Sequence, residues 1–304
     1  MKPLPTLRQL RYLSALAEHR HFGRAAEACL VTQSTLSAGL QELELILGST
    51  LVERTKRWVM LTPLGVEVER RGARLLREAE DMVDMVQAAS EPLSGSLRLG
   101  VIPTIAPYLL PRLLPPLRQS FPKLKLYLRE DLSARLLDGL NSGQIDAALL
   151  ALPYAAEGVE VAEICQDPFL LACPPTHPLA AKPQLCPDDL AEAELLLLED
   201  GHCLREHALA ACHLPSARGG ESIRGTSLHT VVQMAASGLG VTLLPRLAVE
   251  AGAAEGTGLA VRPLGEDAPA RVLALMWRKS SPRGAEFHQL AQFVADVLAA
   301  GHKG

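Results

Sequence analysis

Residues 195–215, LLLLEDGHCLREHALAACHLP, set Cys203 and Cys212 nine positions apart, with His202, Arg205, His207 and His213 around them. Three chemistries compete for such a group. As buried thiols the pair would simply pack, since an unactivated cysteine behaves as a small apolar residue. As metal ligands, Cys203, His207, Cys212 and His213 are of the types that zinc takes, but their spacing matches no common zinc pattern. As redox groups they need a thiolate, because the thiolate and not the thiol attacks an oxidant.

Asp200 reads as the N-cap of a short helix through LREHALAAC, which puts Cys203 in the first turn. Unpaired amides there, together with His202, Arg205 and Arg278, favour the thiolate, while Glu199 and Asp200 oppose it. If the segment is helical, nine residues at ~1.5 Å each hold the two Cα atoms about 13 Å apart, on opposite faces. A disulfide needs Cα atoms within about 7 Å, so any bond between these two would unwind the helix. Closing so short a loop contributes roughly 3 kcal/mol to the bonded form in the chain-entropy account. The remaining cysteines, Cys29, Cys165, Cys173 and Cys186, lie in apolar or loop settings without evident partners and read as packing residues.

The elements that must position this group belong to a chain of 304 residues, 48% hydrophobic and 21% charged, which suits two or three ordinary folded domains. No apolar run approaches the ~18 residues of a membrane span, and MKPLPTLRQLRYL lacks the layout of a signal peptide, so a cytoplasmic protein with no membrane partner is expected. In that reducing compartment a disulfide would be transient and regulatory. The net charge of −4 hides an asymmetry: residues 1–60 hold eight Lys/Arg against five Glu, a surplus of three positive charges. The front of the chain is therefore where a polyanion would bind.

Apolar spacing predicts helices over residues 7–17, 22–30 and 32–47, the last opened by Thr32, Gln33 and Ser34 and stopped by Gly48. Gly23 is placed where two helices approach closely. The stretch TLVERTKRWVMLT then supplies two short strands flanking Arg54, Lys56 and Arg57. Closely spaced helices followed by a basic hairpin make a winged helix-turn-helix, whose later helix enters the DNA major groove by its N-terminal end. That assigns Gln33, Ser34, Thr35 and Ser37, with Thr32, to base edges, and Arg24, Arg54, Lys56 and Arg57 to phosphates. The competing reading of any one hydroxyl is that it merely caps the helix.

Thr62 and Pro63 open a helix with no further proline until Pro92, and Val68, Gly72, Leu75, Ala79, Met82 and Val86 form a coiled-coil seam along it. Pairing two subunits through that seam would bring two reading heads to two half-sites. Residues 93–304 alternate strands and helices as a parallel α/β sheet does. The expected organisation is thus α/β, with a winged helix-turn-helix over 1–61, a linker and dimerisation helix over 62–92, and a regulatory domain over 93–304. The last resembles periplasmic binding proteins in having two subdomains, 93–165 with 271–304 and 166–270, and a cleft between them for a small molecule.

The segments LRYLSALAEHRHFGRAAEACLVTQSTLSAGLQELELILG, LVERTKR and LTPLG resemble the heads of LysR-type transcriptional regulators. GVIPTIAPYLLP, LLLEDGHCLREHAL, TSLHTVVQMAASGLGVTLLP and LALMWRKSSP are similar to the sensor half of one branch of that family, the peroxide-sensing OxyR branch. The likeness spans essentially the whole chain, and Gly201-His202-Cys203-Leu204-Arg205 followed by Cys212 selects the branch. It implies an activator of oxidative-stress defence genes, a dimer of dimers on promoter double-stranded DNA, working with RNA polymerase and using neither cofactor nor metal. It further implies that Cys203 reacts with hydrogen peroxide and that Cys212 resolves the product as an intramolecular disulfide. The peroxide pocket would draw on Thr104, His202 and Arg278, with Ser133 as a second hydroxyl. One departure stands out: the recognition helix carries Gln41 and Glu42 where relatives often have basic residues, so DNA binding leans on the wing.

Two other functions compete with peroxide sensing. A LysR-type regulator could respond to a metabolite in the cleft, its cysteines being incidental. An enzyme, such as a thiol peroxidase or a hydrolase, is disfavoured because a DNA-reading head and a dimerising rod serve no catalytic purpose.

Overall fold

The computed structural model describes residues 3–54, 59–88, 92–154, 157–211, 224–265 and 268–301. By its internal contacts the chain forms two units, residues 1–86 and 87–304.

The first unit holds helices α1 (Leu7–His19), α2 (Phe22–Ala28) and α3 (Gln33–Leu47), the antiparallel hairpin β1 (Val52–Arg54) and β2 (Val59–Leu61), and most of α4 (Pro63–Ala88). Local chemistry sets the helix bounds. Thr6 and Gln9 exchange a capping box at the start of α1, Thr32 Oγ1 accepts from the Thr35 amide at 3.2 Å to open α3, and Gly48 ends α3 at φ +66°. Leu10, Leu13 and Leu16 of α1 pack with Leu36, Leu40 and Leu43 of α3 and with Ala25 and Ala26 of α2 in one core. The close approach of helices falls at Gly39, where a Cβ would stand 2.8 Å from the Tyr12 ring. At Gly23 a Cβ would meet the His21 ring next door, at 3.1 Å, and no neighbouring helix at that range.

The hairpin is tied back to α3 by Glu44, whose Oε1 accepts from the Leu51 and Val52 amides at 2.8 and 3.0 Å. Thr62 caps α4 by accepting from the Gly65 amide at 2.9 Å. The expected seam of α4 divides in two. Val68 and Gly72 face this unit's own core, and a Cβ at Gly72 would lie 3.1 Å from Leu10, whereas Leu75 and Met82 are exposed.

The second unit is built on a seven-stranded sheet of β3 (Gly95–Val101), β4 (Leu124–Glu130), β5 (Ala147–Leu152), β6 (Val159–Cys173), β9 (Thr242–Pro245), β10 (Ala260–Pro263) and β11 (Ala270–Arg278). A separate parallel pair is made by β7 (Leu197–Leu198) and β8 (Arg224–Gly225). The helices are α5 (Ala106–Ser120), α6 (Ser133–Ser142), α7 (Pro178–Ala181), α8 (Cys203–Ala211), α9 (Leu228–Ala236), α10 (Arg246–Glu250) and α11 (Gly284–Gly301). The sheet is mixed, not parallel as expected: β4, β3 and β5 are parallel neighbours, but β11 lies antiparallel between β5 and β6. Crossover helices α5 and α6 carry β3 to β4 and β4 to β5 and keep those strands parallel, whereas β11 arrives from the second lobe and inserts antiparallel between β5 and β6.

Strand β6 is shared. Its first part pairs with β11, and its last residues pair with β9 and β10. Two apolar cores result, one containing Leu97, Leu149, Leu275, Trp277 and Phe287, the other Phe169, Leu196, Val232, Leu244 and Leu264. No helix among the described residues is long and apolar enough to cross a membrane.

Candidate functional site

Cys203 is the first residue of α8 and is 4% exposed. Gly201, at φ +97°, makes the turn that brings the chain into the helix, a conformation that suits glycine. Asp200, expected as the cap, lies three residues before the helix, and its carboxylate pairs with Arg205 Nη1 at 3.0 Å and Arg224 Nη1 at 2.7 Å. The two cores meet at this point. The Cys203 side chain packs into the first core, while Leu204, Ala208 and Leu209 of the same helix pack into the second.

Ile102, Pro103, Thr104, Leu132, Ser133, Gly201, His202 and Cys203 line one narrow cleft, so three of the four expected pocket residues, Thr104, Ser133 and His202, gather around the thiol. Ser133 opens α6; its Oγ is buried with no ordinary hydrogen-bond partner, and it lies where it can donate to a Cys203 thiolate. Thr104 does not cap α5, which has no side-chain cap. Its Oγ1 accepts from Arg271 Nη1 at 2.9 Å, and its carbonyl accepts from Arg271 Nη2 at 3.0 Å.

Arg278, the fourth expected pocket residue, is elsewhere. Its Nη1 donates to the carbonyls of Leu140 and Ile145 at 2.8 and 3.1 Å, and it stands seven positions, about 23 Å of extended chain, along the strand from Arg271. The arginine of this site is Arg271, which the sequence reading missed. It is fully buried and its Nε donates to Asp167 Oδ2 at 3.0 Å, while Asp167 Oδ1 accepts from the Leu247 amide at 2.9 Å. The available signal was an arginine inside an otherwise apolar strand run, ARVLALMW, which a core tolerates only with a buried acidic partner.

Burial pushes the Cys203 thiol above its usual range; the Ser133 hydrogen bond, the Arg271 charge and the residue's own amide pull it back, and Glu206 opposes them. The net direction is opposite to the one the helix start suggested, because removing a thiolate from water outweighs the helix-end amides. Burial also lowers the pKa of His202, so its ring supplies hydrogen-bonding nitrogens and not a standing positive charge. One turn along α8, His207 is buried with Nε2 3.1 Å from the Pro153 carbonyl. Cys212 and His213 lie outside the described residues, and among those described no cluster of three or more His, Cys, Asp or Glu is arranged to hold a metal. Cys165 and Cys173 carry thiols raised first of all by burial, Cys165 to about 11, in keeping with a packing role.

In the first unit Arg24 is exposed on α2, and Thr32, Gln33, Ser34 and Thr35 are exposed at the start of α3, with Ser37 half-buried. Thr32 Oγ1 lies 2.9 Å from Ser34 Oγ and 2.8 Å from Thr35 Oγ1, so Thr32 acts as the cap and its neighbours extend a hydroxyl cluster from it. Arg54 ends β1, and Lys56 and Arg57 lie outside the described residues.

Residues 7–66 match the family described as bacterial regulatory helix-turn-helix protein, lysR family, and residues 90–299 match the LysR substrate binding domain. The chain is 42% identical to the HTH-type transcriptional regulator EstR of Acinetobacter baylyi, over 99% of this chain and 100% of that protein. It is 41% identical to the hydrogen peroxide-inducible genes activator of Pectobacterium carotovorum, over 96% of each. Among solved structures, full-length OxyR of Pseudomonas aeruginosa, carrying a cysteine-to-aspartate substitution, superposes with a TM-score of 0.78 at 37% identity, covering 96% of this chain and 98% of that one.

Proposed function

The chain belongs to the LysR family of DNA-binding transcriptional regulators, which are not enzymes, and on that premise we propose that it senses hydrogen peroxide through Cys203 and passes the signal to promoter DNA. One observation carries the reading: a buried thiol at the first position of a helix faces Thr104, Ser133 and His202 exactly where two apolar cores meet. Arg271 acts as a positioning residue, holding Thr104 toward the cleft and adding positive potential at the sulfur.

In the proposed reaction the Cys203 thiolate attacks one peroxide oxygen and the O–O bond breaks. The sulfur leaves as sulfenic acid, and the departing hydroxide takes up a proton to become water. The Cys212 thiol then displaces a second water and forms the disulfide. Since α8 spans both cores, its unwinding would repack the junction between the two lobes, and this is how the oxidised state would reach the DNA-reading head. The assembly is a dimer of dimers, paired through the exposed part of α4, bound to promoter double-stranded DNA and acting on RNA polymerase. Gln33, Ser34, Thr35 and Ser37 would meet base edges, and Arg24, Arg54, Lys56 and Arg57 phosphates.

The test replaces Cys203 and Cys212 with serine separately and measures footprint length on promoter DNA with and without peroxide. Loss of the response in both variants supports the reading, and a persisting response in Cys203→Ser overturns it. A second reading, a regulator answering to a small metabolite in the lobe cleft, is favoured by the equally extensive likeness to EstR. A footprint that shifts with a metabolite and ignores peroxide would establish it.

A further inference from the structure

Cys203 has two approaches, and they differ in size. The cleft toward Thr104 and Ser133 has no void that a water-sized sphere can enter, so hydrogen peroxide, a molecule little larger than a water of ~30 Å³, reaches the sulfur there only as the lining parts slightly. Past Gly201 the same thiol borders a second hollow of about 350 Å³, lined by Ala134, Pro153, Tyr154, Gly201, Cys203 and Glu206. That volume lies in the range of pockets that hold organic ligands, about 300–1,000 Å³. Hydrogen peroxide has no use for so much space.

From this second hollow we propose that Cys203 is also oxidised by neutral organic hydroperoxides, whose hydrocarbon part would occupy the space between Ala134, Pro153 and Tyr154. The inference rests on Cys203 being the redox centre. Ala134, Pro153 and the Tyr154 ring give part of an otherwise polar lining as apolar surface, against which a small hydrocarbon gains from leaving water. Glu206 sets the sign: a carboxylate in the lining repels an anionic hydroperoxide, such as one on a fatty acid, and tolerates an uncharged one. The buried Ser133 hydroxyl, within reach of the thiol, is a donor available to the reacting oxygen. The Cys203 thiolate attacks the terminal oxygen of R–O–OH and the O–O bond breaks. The sulfur becomes sulfenic acid, and the alkoxide leaves and takes up a proton to become the alcohol.

The experiment uses the full chain with Cys212→Ser, so that the sulfenic acid accumulates and can be trapped with dimedone and counted by mass spectrometry. Rates are measured with hydrogen peroxide, cumene hydroperoxide and linoleic acid hydroperoxide, and again after Ala134→Phe, which fills the hollow from an exposed position. Cumene hydroperoxide should react at least tenfold faster than the fatty-acid anion. Ala134→Phe should slow cumene hydroperoxide at least tenfold and leave hydrogen peroxide within twofold. If hydrogen peroxide reacts and cumene hydroperoxide does not, the inference fails while peroxide sensing stands. If Ala134→Phe slows both alike or neither, the hollow is not the route and the inference fails. If no peroxide oxidises Cys203, both fall together.

Discussion

Arg271 and Thr104, 167 positions apart in the chain, meet twice, through Nη1 to Oγ1 at 2.9 Å and through Nη2 to the Thr104 carbonyl at 3.0 Å. The same guanidinium grips Asp167, so one fully buried charge fixes the floor of the thiol cleft to the strand that the two lobes share. Arg271→Met removes all three bonds and strands Asp167 in the core. Breaking a buried pair in this way costs about 3–5 kcal/mol. Thermal unfolding should shift down by several degrees, and an unchanged melting temperature would refute the structural role.

The Cys203 thiol sits above its ordinary range because it is buried, so the reactive thiolate is the minor form at neutral pH. The sign follows: below the thiol's own pKa the thiolate fraction grows as pH rises, about tenfold per unit. The second-order rate of Cys203 oxidation, followed by sulfenic-acid trapping in Cys212→Ser, should therefore climb from pH 6 to pH 8 without a plateau. A flat profile would mean that the thiol is already ionised at pH 6.

Ser133→Ala deletes the hydroxyl that can donate to the thiolate and leaves the backbone of α6 alone. Losing one hydrogen bond to a charged group is worth about 1.5–3 kcal/mol, so the thiol should move further up and its alkylation at pH 7 should slow roughly tenfold or more. Ser133→Thr, which keeps the hydroxyl, should react within a few-fold of the parent. Equal rates for the alanine and threonine variants would remove Ser133 from the account.

A Cβ at Gly65 would lie 2.1 Å from the Leu51 carbonyl oxygen, where the hairpin and α4 touch. Gly65→Ala must push these elements apart, an overpacking cost of about 1–3 kcal/mol. It should weaken DNA binding and lower the melting temperature together. Full DNA affinity in the alanine variant would show that the joint is slack.

Arg24 stands exposed on α2, facing solvent and not the core. If it meets a phosphate, Arg24→Ala should weaken binding to all sequences alike and reduce the salt slope by about one, whereas Gln33→Ala should cost about 1–3 kcal/mol on the preferred operator alone. Competition binding at several salt concentrations separates the two behaviours.

What could be read from the sequence was what local chemistry decides. Thr32 and Gly48 bound α3 because a hydroxyl cap and a left-handed glycine act within a few residues. What could not be read depends on distant partners. Choosing between Arg271 and Arg278 requires knowing that Asp167 lies directly across from Arg271, a register set by strand pairing over more than a hundred residues. The thiol's net pKa direction was missed likewise, since helix ends are visible in a sequence and burial in a core assembled from distant strands is not. The mixed sheet escaped because alternation of strands and helices does not tell where a returning strand inserts.

The β7–β8 pair, two residues to a strand, stands apart from the seven-stranded sheet, and α8 lies against it. So short a ladder has few backbone bonds to lose, and hydrogen exchange should find its amides less protected than those of the β5–β11 ladder, even though Leu196 fastens it to the neighbouring strand through the Val241 carbonyl and Thr242 Oγ1. If α8 rebuilds on oxidation as proposed, the change would be taken up in this small pair while the long β5–β11 ladder keeps its register.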